Sequence, residues 1–169
     1  MLLLVSAVAI PQTSANRYTI ELVVFRTASQ TAGLPAGAQA AATPDDGVEM
    51  APATARRLTS AAARLRSTAG YRILAHTAFA QTPTSCSRDA CRNSLRGVSA
   101  EQLGLTRAGI SGKVGLQRGE SLHLGIDLTI DDGGRRYRIQ EVRQLRKTDQ
   151  PQYFDHPAVG VIAVITAGG

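Results

Sequence analysis

The sequence has no tryptophan and is poor in most side chains that carry recognition or chemistry. Its 169 residues include four tyrosines, three phenylalanines, three histidines and two cysteines. Lysine is nearly absent, because 17 of the 19 basic residues are arginine. Nucleic-acid binding needs clustered positive charge and aromatic side chains, and both are scattered here, so we exclude a nucleic-acid partner. The arginine excess either reflects a GC-rich codon bias or serves bidentate recognition of carboxylate or phosphate.

Sequence motifs typical of catalysis and of metal binding are also missing. The chain contains no H-E-x-x-H and no G-x-S-x-G, and Gly112-Lys113 lacks the other residues of a phosphate-binding loop. The 13 acidic residues include no pair at a spacing that suggests glycoside hydrolysis. We therefore predict that the protein is not an enzyme and that it has no catalytic residue, metal ion or cofactor.

The first fifteen residues, MLLLVSAVAIPQTSA, indicate a signal peptide. Residues 2–10 form a short apolar segment, Pro11 ends it, and residues 13–15 supply a small-residue cleavage site. A buried strand is the alternative, but Pro11 and the small residues favour the signal. We therefore expect residues 16–169 to be exported to the periplasm of a Gram-negative type of envelope. A membrane helix needs about 20 consecutive apolar residues, and no later segment has them. We therefore predict no membrane span after cleavage.

Two cysteines, Cys86 and Cys91, lie close together in the polar segment TSCSRDACRN. In an oxidising compartment such a pair usually forms a disulfide. Half of a metal site is the alternative, but the chain has no other cysteine and no histidine nearby. We predict a Cys86–Cys91 disulfide, whose small loop limits its stabilising effect to about 2 kcal/mol or less.

An insertion and a helix follow the first predicted strand, RYTIELVVFR. Residues 27–53 are rich in alanine, glycine, proline and threonine, and this composition predicts a flexible insertion within the domain. The segment TARRLTSAAARLRSTAG then shows helical spacing of apolar residues, with Thr54 as the expected N-cap and Gly70 as the expected C-cap.

The rest of the chain has the patterns of β-strands. YRILAHTAFAQ predicts a second strand, three more begin at Ile110 and are joined by hairpin turns at residues 118–120 and 131–134, and VGVIAVIT predicts the last. Residues 16–169 are thus expected to form a single α+β domain. We predict a mostly antiparallel sheet of about six strands with one main helix packed on one face.

The predicted strand at residues 122–130 alternates between apolar and polar side chains, which indicates one buried and one exposed face. We expect its apolar face to meet the helix. A bulge expected near Glu141 leaves open which arginines of the neighbouring strand share the exposed face. The hypothesis is a carboxylate-binding patch on that face, and the alternative is a merely solvated basic face. The patch would consist of His123, Arg118 and either Arg136 with Arg138 or Arg143. Asp127 and Thr129 are expected on the same exposed face.

Asp155-His156-Pro157 precedes the last strand, and it allows a structural and a catalytic interpretation. Adjacent residues on an extended chain point apart, so Asp155 cannot orient His156 as in a catalytic triad. An aspartate before His-Pro more often shapes a turn, and we favour that interpretation.

The sequence resembles the CsiV family of periplasmic proteins over most of the predicted mature chain. The resemblance rests on GKVGLQRGESLHLGIDLTI, on YRIQEVRQLRK and on YFDHPAVGVIAVIT, and the segments YTIELVVFR and YRILAHTAFAQ also fit. The chain departs from the family where Phe79-Ala80-Gln81 replaces a tryptophan-containing segment. The Cys86–Cys91 pair is not a feature that the resemblance explains.

The resemblance implies a peptidoglycan-binding accessory protein that supports a cell-wall synthase through its lipoprotein activator. One alternative is an envelope adaptor that binds only another protein, by an edge strand or a surface contact. A cell-wall-modifying enzyme is the other. The candidate ligand-binding residues are Arg118, His123, Arg138, Arg143, Arg146 and His156.

Overall fold

The computed structural model describes residues 17–28, 34–35, 44–53 and 56–168. The predicted signal peptide at residues 1–15 and the predicted N-cap Thr54 lie outside the described residues. Strands account for 53% of the structure and helices for 14%, so the protein is mostly β. The strands are β1 (Tyr18–Thr27), β2 (Leu34–Pro35), β3 (Met50–Pro52), β4 (Tyr71–Gln81), β5 (Thr84–Ser85), β6 (Val98–Ser99), β7 (Ile110–Arg118), β8 (Leu122–Asp132), β9 (Arg135–Leu145), β10 (Gln152–Asp155) and β11 (Val159–Ala167).

The strands form two sheets. The first, sheet A, has the order β10-β11-β1-β4-β3, and all its neighbours are antiparallel. The second, sheet B, has the order β2-β9-β8-β7-β5, and β6 pairs with β7 beside this path. The short β5 runs parallel to β7, whereas the other pairs of sheet B are antiparallel. The chain places its first, fourth and last strands in sheet A and the three long hairpin strands in sheet B.

The two sheets pack face to face around a shared core, which makes the domain a β-sandwich. Apolar side chains from β1, β4 and β11 meet those of β7, β8 and β9. The largest fully buried members of this core are Ile20, Leu22, Phe79, Ile110, Leu116, Leu124, Ile126, Leu128, Ile130, Phe154 and Ile165. The predicted α+β fold with a single main sheet is therefore wrong. The six longest strands (β1, β4, β7, β8, β9 and β11) were predicted, but the five short strands and the division into two sheets were not.

The apolar face of β8 is buried as expected, although its partner differs from the predicted one. Leu124, Ile126, Leu128 and Ile130 are all fully buried and belong to the core between the sheets. The helix α1 (Thr59–Ser67) lies instead on the outer face of sheet A. A nine-residue helix cannot cover the apolar face of three long strands, and a second sheet can.

The helix α1 is anchored by a carboxylate of sheet A. Leu58 and Ala62 pack with Val23 of β1 and with Val164 of β11. Glu21, which is 1% exposed, accepts a hydrogen bond of 2.9 Å from the backbone N–H of Leu58 with its Oε2. The first N–H groups of a helix have no partner within it. The Glu21 carboxylate satisfies that of Leu58 and complements the helix dipole.

The predicted insertion is partly described, and its last part belongs to the domain. Residues 50–52 form β3 and pair with β4 at the edge of sheet A. The Asp46 carboxylate accepts hydrogen bonds from the Lys113 side chain at 2.8 Å and from the Gly97 backbone at 3.0 Å. Residues 29–33 and 36–43 lie outside the described residues. Flexibility of the insertion therefore stays a prediction.

The Cys86–Cys91 disulfide is present and belongs to a segment that covers part of sheet B. This segment includes the short helix α2 (Arg88–Asn93). Leu95, which follows α2, lies so close to Gly125 of β8 that a Cβ there would be 2.3 Å from the leucine Cδ1. The outer face of sheet B is consequently covered near Gly125 and is not a uniformly exposed surface.

Candidate functional site

The tight turn between β8 and β9 places one acid and one base at the end of the sandwich. Gly133 and Gly134 form the turn and have φ angles of 58° and 74°. Positive φ at both central positions is the requirement of a type I′ hairpin, and glycine meets it without strain. Asp132 and Arg135 flank the turn and face each other across the two strands. The predicted hairpin at residues 131–134 is confirmed.

Asp132 joins this turn to sheet A. Arg26 of β1 and Arg72 of β4 are directly opposite each other in the strand pair, an arrangement that like charges disfavour. Both guanidinium groups donate to the Asp132 carboxylate, Arg72 to Oδ1 at 2.5 Å and Arg26 to Oδ2. Burial raises the pKa of the Asp132 carboxyl, but hydrogen bonds and charges from Arg72 and Arg26 outweigh it, so the pKa lies below its ordinary 3.8.

These groups border an open cleft of about 390 Å³, which we call the arginine cleft. Its lining consists of Arg26, Thr27, Ala28, Gly70, Tyr71, Arg72, Arg135 and Tyr137. Three guanidinium groups line the cleft, and the carboxylate of Asp132 contacts two of them, so the described residues leave two positive charges in excess. Arg135 is exposed and forms no ion pair with the described residues. A forked donor in this position can receive a carboxylate in bidentate geometry.

Two exposed tyrosines flank a buried phenylalanine beside the cleft, and we call them the tyrosine pair. Tyr71, at the lip of the cleft, is 42% exposed, and Tyr153 of β10 is 45% exposed. The Phe25 ring lies 5.8 Å from the Tyr71 ring and 6.2 Å from the Tyr153 ring, measured between centroids. The Tyr153 hydroxyl donates to the Asp155 carboxylate at 3.0 Å. An aromatic surface with polar groups at its rim thus adjoins the cationic cleft.

Two members of the predicted patch, Arg118 and Arg138, lie apart from the cleft. Arg138 donates two hydrogen bonds of 3.0 Å to the carboxylate of Asp127 on the neighbouring strand. Arg118 is exposed at the end of β7, where it donates to the Tyr18 hydroxyl at 2.5 Å. Each of these guanidinium groups already has a partner within the protein.

Arg143 does not share a face with Arg138. The pairing of β8 with β9 is continuous from one end to the other, so the bulge predicted near Glu141 is absent. With regular alternation, residues 138 and 143 point to opposite sides. Arg143 pairs with Glu141, donates to the Tyr153 carbonyl at 2.6 Å and lies over the Phe154 ring. The structure therefore does not bring the predicted arginines together.

The remaining predicted residues are also dispersed. His123 is 9% exposed, and its Nδ1 is 3.0 Å from the Ser121 carbonyl. Arg146 is exposed just after β9. His156 lies in the turn between β10 and β11, where its Nδ1 accepts from the Ala158 N–H at 3.2 Å. Its ring is edge-on to Tyr137 of the arginine cleft, so it is the one predicted ligand residue that borders this site.

Sequence reasoning missed the residues that line the cleft. Arg26, Arg72 and Arg135 each stand at an end of a predicted strand, and Tyr71 begins one. This clustering of charge at strand ends was the available signal. It could not be used because the contact between the β8–β9 turn and the β1–β4 end of sheet A depends on the two-sheet packing.

The model of a family described as "Peptidoglycan-binding protein, CsiV" matches residues 26–167. The chain belongs to this family. The resemblance noted from the sequence is thereby confirmed, and the CsiV match extends over every residue of the arginine cleft and both members of the tyrosine pair. No curated protein and no solved structure showed a match to the chain.

The described residues contain neither a metal-ligand cluster nor a membrane-spanning helix. Among the described residues, no group of three or more His, Cys, Asp or Glu side chains is placed to hold a metal ion. Within the same part of the chain, no helix combines the length and the apolar composition needed to cross a membrane.

Proposed function

We propose that this CsiV family member binds peptidoglycan without catalysis and that the arginine cleft receives a carboxylate of the peptide stems. The observation that carries the proposal is the exposed guanidinium of Arg135, which has no carboxylate partner among the described residues, in a cleft with two excess positive charges. The family description supplies the ligand class. Peptide stems carry free carboxylates, which match the planar fork of arginine.

The two other arginines of the cleft support this role through their fixed positions. Asp132 holds both Arg26 and Arg72 from the opposite sheet, so little side-chain freedom is left for a ligand to remove. The carboxylate neutralises part of their charge but leaves further N–H donors on each guanidinium. Contacts of this kind are partly exposed, so the affinity should be modest and should fall with ionic strength.

The proposal extends to the cellular setting. Residues 1–15 have the pattern of a signal peptide, which favours a periplasmic location. Support of a cell-wall synthase through its lipoprotein activator follows from the family resemblance alone. Co-purification of the activator with tagged protein, in extracts cleared of peptidoglycan, tests that part separately.

Binding to purified, protein-free sacculi tests the proposed function. Arg135→Ala should weaken binding by about fivefold, the loss expected when about 1 kcal/mol of a partly exposed charge-assisted contact is removed. Arg92→Ala is the matched control, because it removes the same charge from an exposed site on α2, outside the cleft. The control should bind like the unmodified protein at each salt concentration.

Each alternative outcome points to a different account. Equal loss in the two variants would mean that net charge, and not the cleft, drives binding. Absence of binding to sacculi would refute the wall-binding function and favour the protein-only adaptor. Release of new products from labelled muropeptides would identify a wall-modifying enzyme instead.

A further inference from the structure

The tyrosine pair is a second feature of the same surface, and carboxylate binding does not account for it. Tyr71 and Tyr153, with Met50, are the large apolar side chains that the described structure leaves exposed. Most aromatic side chains contribute through burial, so two exposed rings on one patch indicate a binding surface.

The rings are supported from below by a close approach that requires glycine. Gly160 of β11 is paired with Phe25 on one side and with Asp155 on the other. A Cβ at position 160 would lie 2.6 Å from the Phe25 Cζ, so only glycine lets this ring lie flat across the strand. The Phe25 ring is nearly parallel to that of Tyr153, at 16°, and tilted by 55° from that of Tyr71. The two exposed rings therefore rest on a buried third ring.

Polar groups stand at the edge of this surface. Asp155 is exposed and accepts the Tyr153 hydroxyl through Oδ1. Burial raises the pKa of Tyr153 above 10.0, as do the hydrogen bond and charge of Asp155 and the neighbouring Tyr71. The hydroxyl therefore stays protonated at neutral pH and remains a donor. A carboxylate that has accepted one hydrogen bond still has acceptor capacity for the hydroxyls of a ligand.

We propose that the tyrosine pair binds the sugar rings of a glycan strand while the arginine cleft binds the peptide attached to the same strand. This inference rests on the proposed function. A pyranose ring has an apolar C–H face that packs on aromatic rings and hydroxyl groups at its rim that suit Asp155. Tyr71 belongs both to the tyrosine pair and to the lining of the cleft, so the two parts of the surface are contiguous.

The contiguity has a measurable consequence. A disaccharide with its peptide stem can occupy both parts of the surface at once, so binding of the second part becomes intramolecular. Such a muropeptide should bind more tightly than a neutral N-acetylglucosamine oligomer, which offers sugar rings without a carboxylate. The preference should disappear when the arginine half of the surface is removed and should persist when only the tyrosine half is removed.

Titration with these two probes tests the inference on the full mature chain. Tyr153→Ala should weaken binding of both the neutral oligomer and the muropeptide by about tenfold. Arg135→Ala should weaken only the muropeptide. Tyr153→Phe retains the ring and loses the bond to Asp155, so it should keep most of the oligomer affinity. Thermal melting of each variant shows that it is folded.

The outcomes separate this inference from the function on which it rests. If the muropeptide binds and responds to Arg135→Ala, but the oligomer does not bind or is unaffected by Tyr153→Ala, the sugar platform is refuted and the peptide-binding cleft stands. If neither sacculi nor muropeptide binds, both proposals fail. Equal loss in Tyr153→Phe and Tyr153→Ala would show that the hydroxyl, and not the ring, contacts the sugar, which also overturns the platform.

Discussion

Replacing Asp132 by asparagine tests the contact that assembles the arginine cleft. The substitution keeps the size of the side chain and removes the charge that Arg26 and Arg72 share. Those two guanidinium groups stand opposite each other on adjacent strands, so in the variant their repulsion is no longer offset. The variant should therefore lose stability as well as the link between the two sheets at this end of the sandwich.

The size of the loss follows from the exposure of each pair. Arg72 is 59% exposed, so its contact contributes little, about 0.2–1 kcal/mol. Arg26 is 31% exposed and Asp132 only 15%, so the second contact is less screened by water. We expect a total loss of about 1–2 kcal/mol at neutral pH. For a chain of this length the Tm should fall by roughly 2–8 °C.

The stability that Asp132→Asn loses should become smaller as the pH is lowered. The pKa of Asp132 in the folded protein lies below its ordinary 3.8, so the folded state favours the ionised carboxylate. Its contribution to stability is fully present above the unfolded-state pKa, about 3.9, and is lost as the pH falls through the lower folded-state pKa. The stability difference between the two proteins should therefore be constant at neutral pH and should shrink below about pH 4.

Urea unfolding at several pH values measures this difference. Asp127→Asn is the matched control, because Asp127 pairs with the largely exposed Arg138 on the outer face of sheet B. We expect the control to lose at most about 1 kcal/mol. If Asp132→Asn unfolds at the same urea concentration as the unmodified protein at pH 7, the contact does not join the sheets. A loss that persists unchanged to pH 2 would mean that packing, and not charge, is responsible.

Three further substitutions test other parts of the structure. Replacing Cys86 and Cys91 by serine should lower the free energy of unfolding by about 2 kcal/mol, because the unfolded chain gains freedom; an unchanged urea midpoint would contradict this. Gly160→Ala should cost about 1–3 kcal/mol in the same assay, because the new Cβ would overlap the Phe25 ring; a neutral result would mean that the ring moves freely. Glu21→Gln should cost about 1–3 kcal/mol and speed amide exchange at the start of α1; unchanged exchange would show that the carboxylate does not anchor the helix.

Local structure could be predicted from the sequence wherever a short-range pattern determines it. The alternation of residues 122–130 identified the buried face of β8, and Asp-Asp-Gly-Gly identified the hairpin that follows. The close cysteines predicted their disulfide. In each case the signal lies within about ten residues, so no knowledge of the tertiary fold is needed.

The partner of each apolar face could not be predicted in the same way. A buried face on β8 is equally compatible with a helix and with a second sheet. Both faces of β1 are buried, one against sheet B and the other against α1. The outer face of sheet B was expected to be exposed, and Leu95 covers it at Gly125. Both wrong predictions, the helix as partner of β8 and the exposed outer face of sheet B, therefore concern contacts between segments that are distant in sequence.

The candidate site was missed for the same physical reason. Tyr71 and Tyr153 are far apart in sequence and approach each other only because β4 and β10 belong to one sheet. Arg135 reaches the cleft only because the β8–β9 turn closes the end of the sandwich. Periodicity does not report such long-range proximity, so the sequence alone favoured arginines on one strand.

Amide hydrogen exchange with and without soluble muropeptides tests the central claim most directly, because it locates the bound ligand on the protein. If peptidoglycan binds at the arginine cleft, protection should appear at residues 70–73 and 132–137. Tyr153 and its neighbours in β10 should be protected as well if the sugar platform is correct. Protection confined to residues 118–123 and to Arg138, with no change at the β8–β9 turn, would contradict the account.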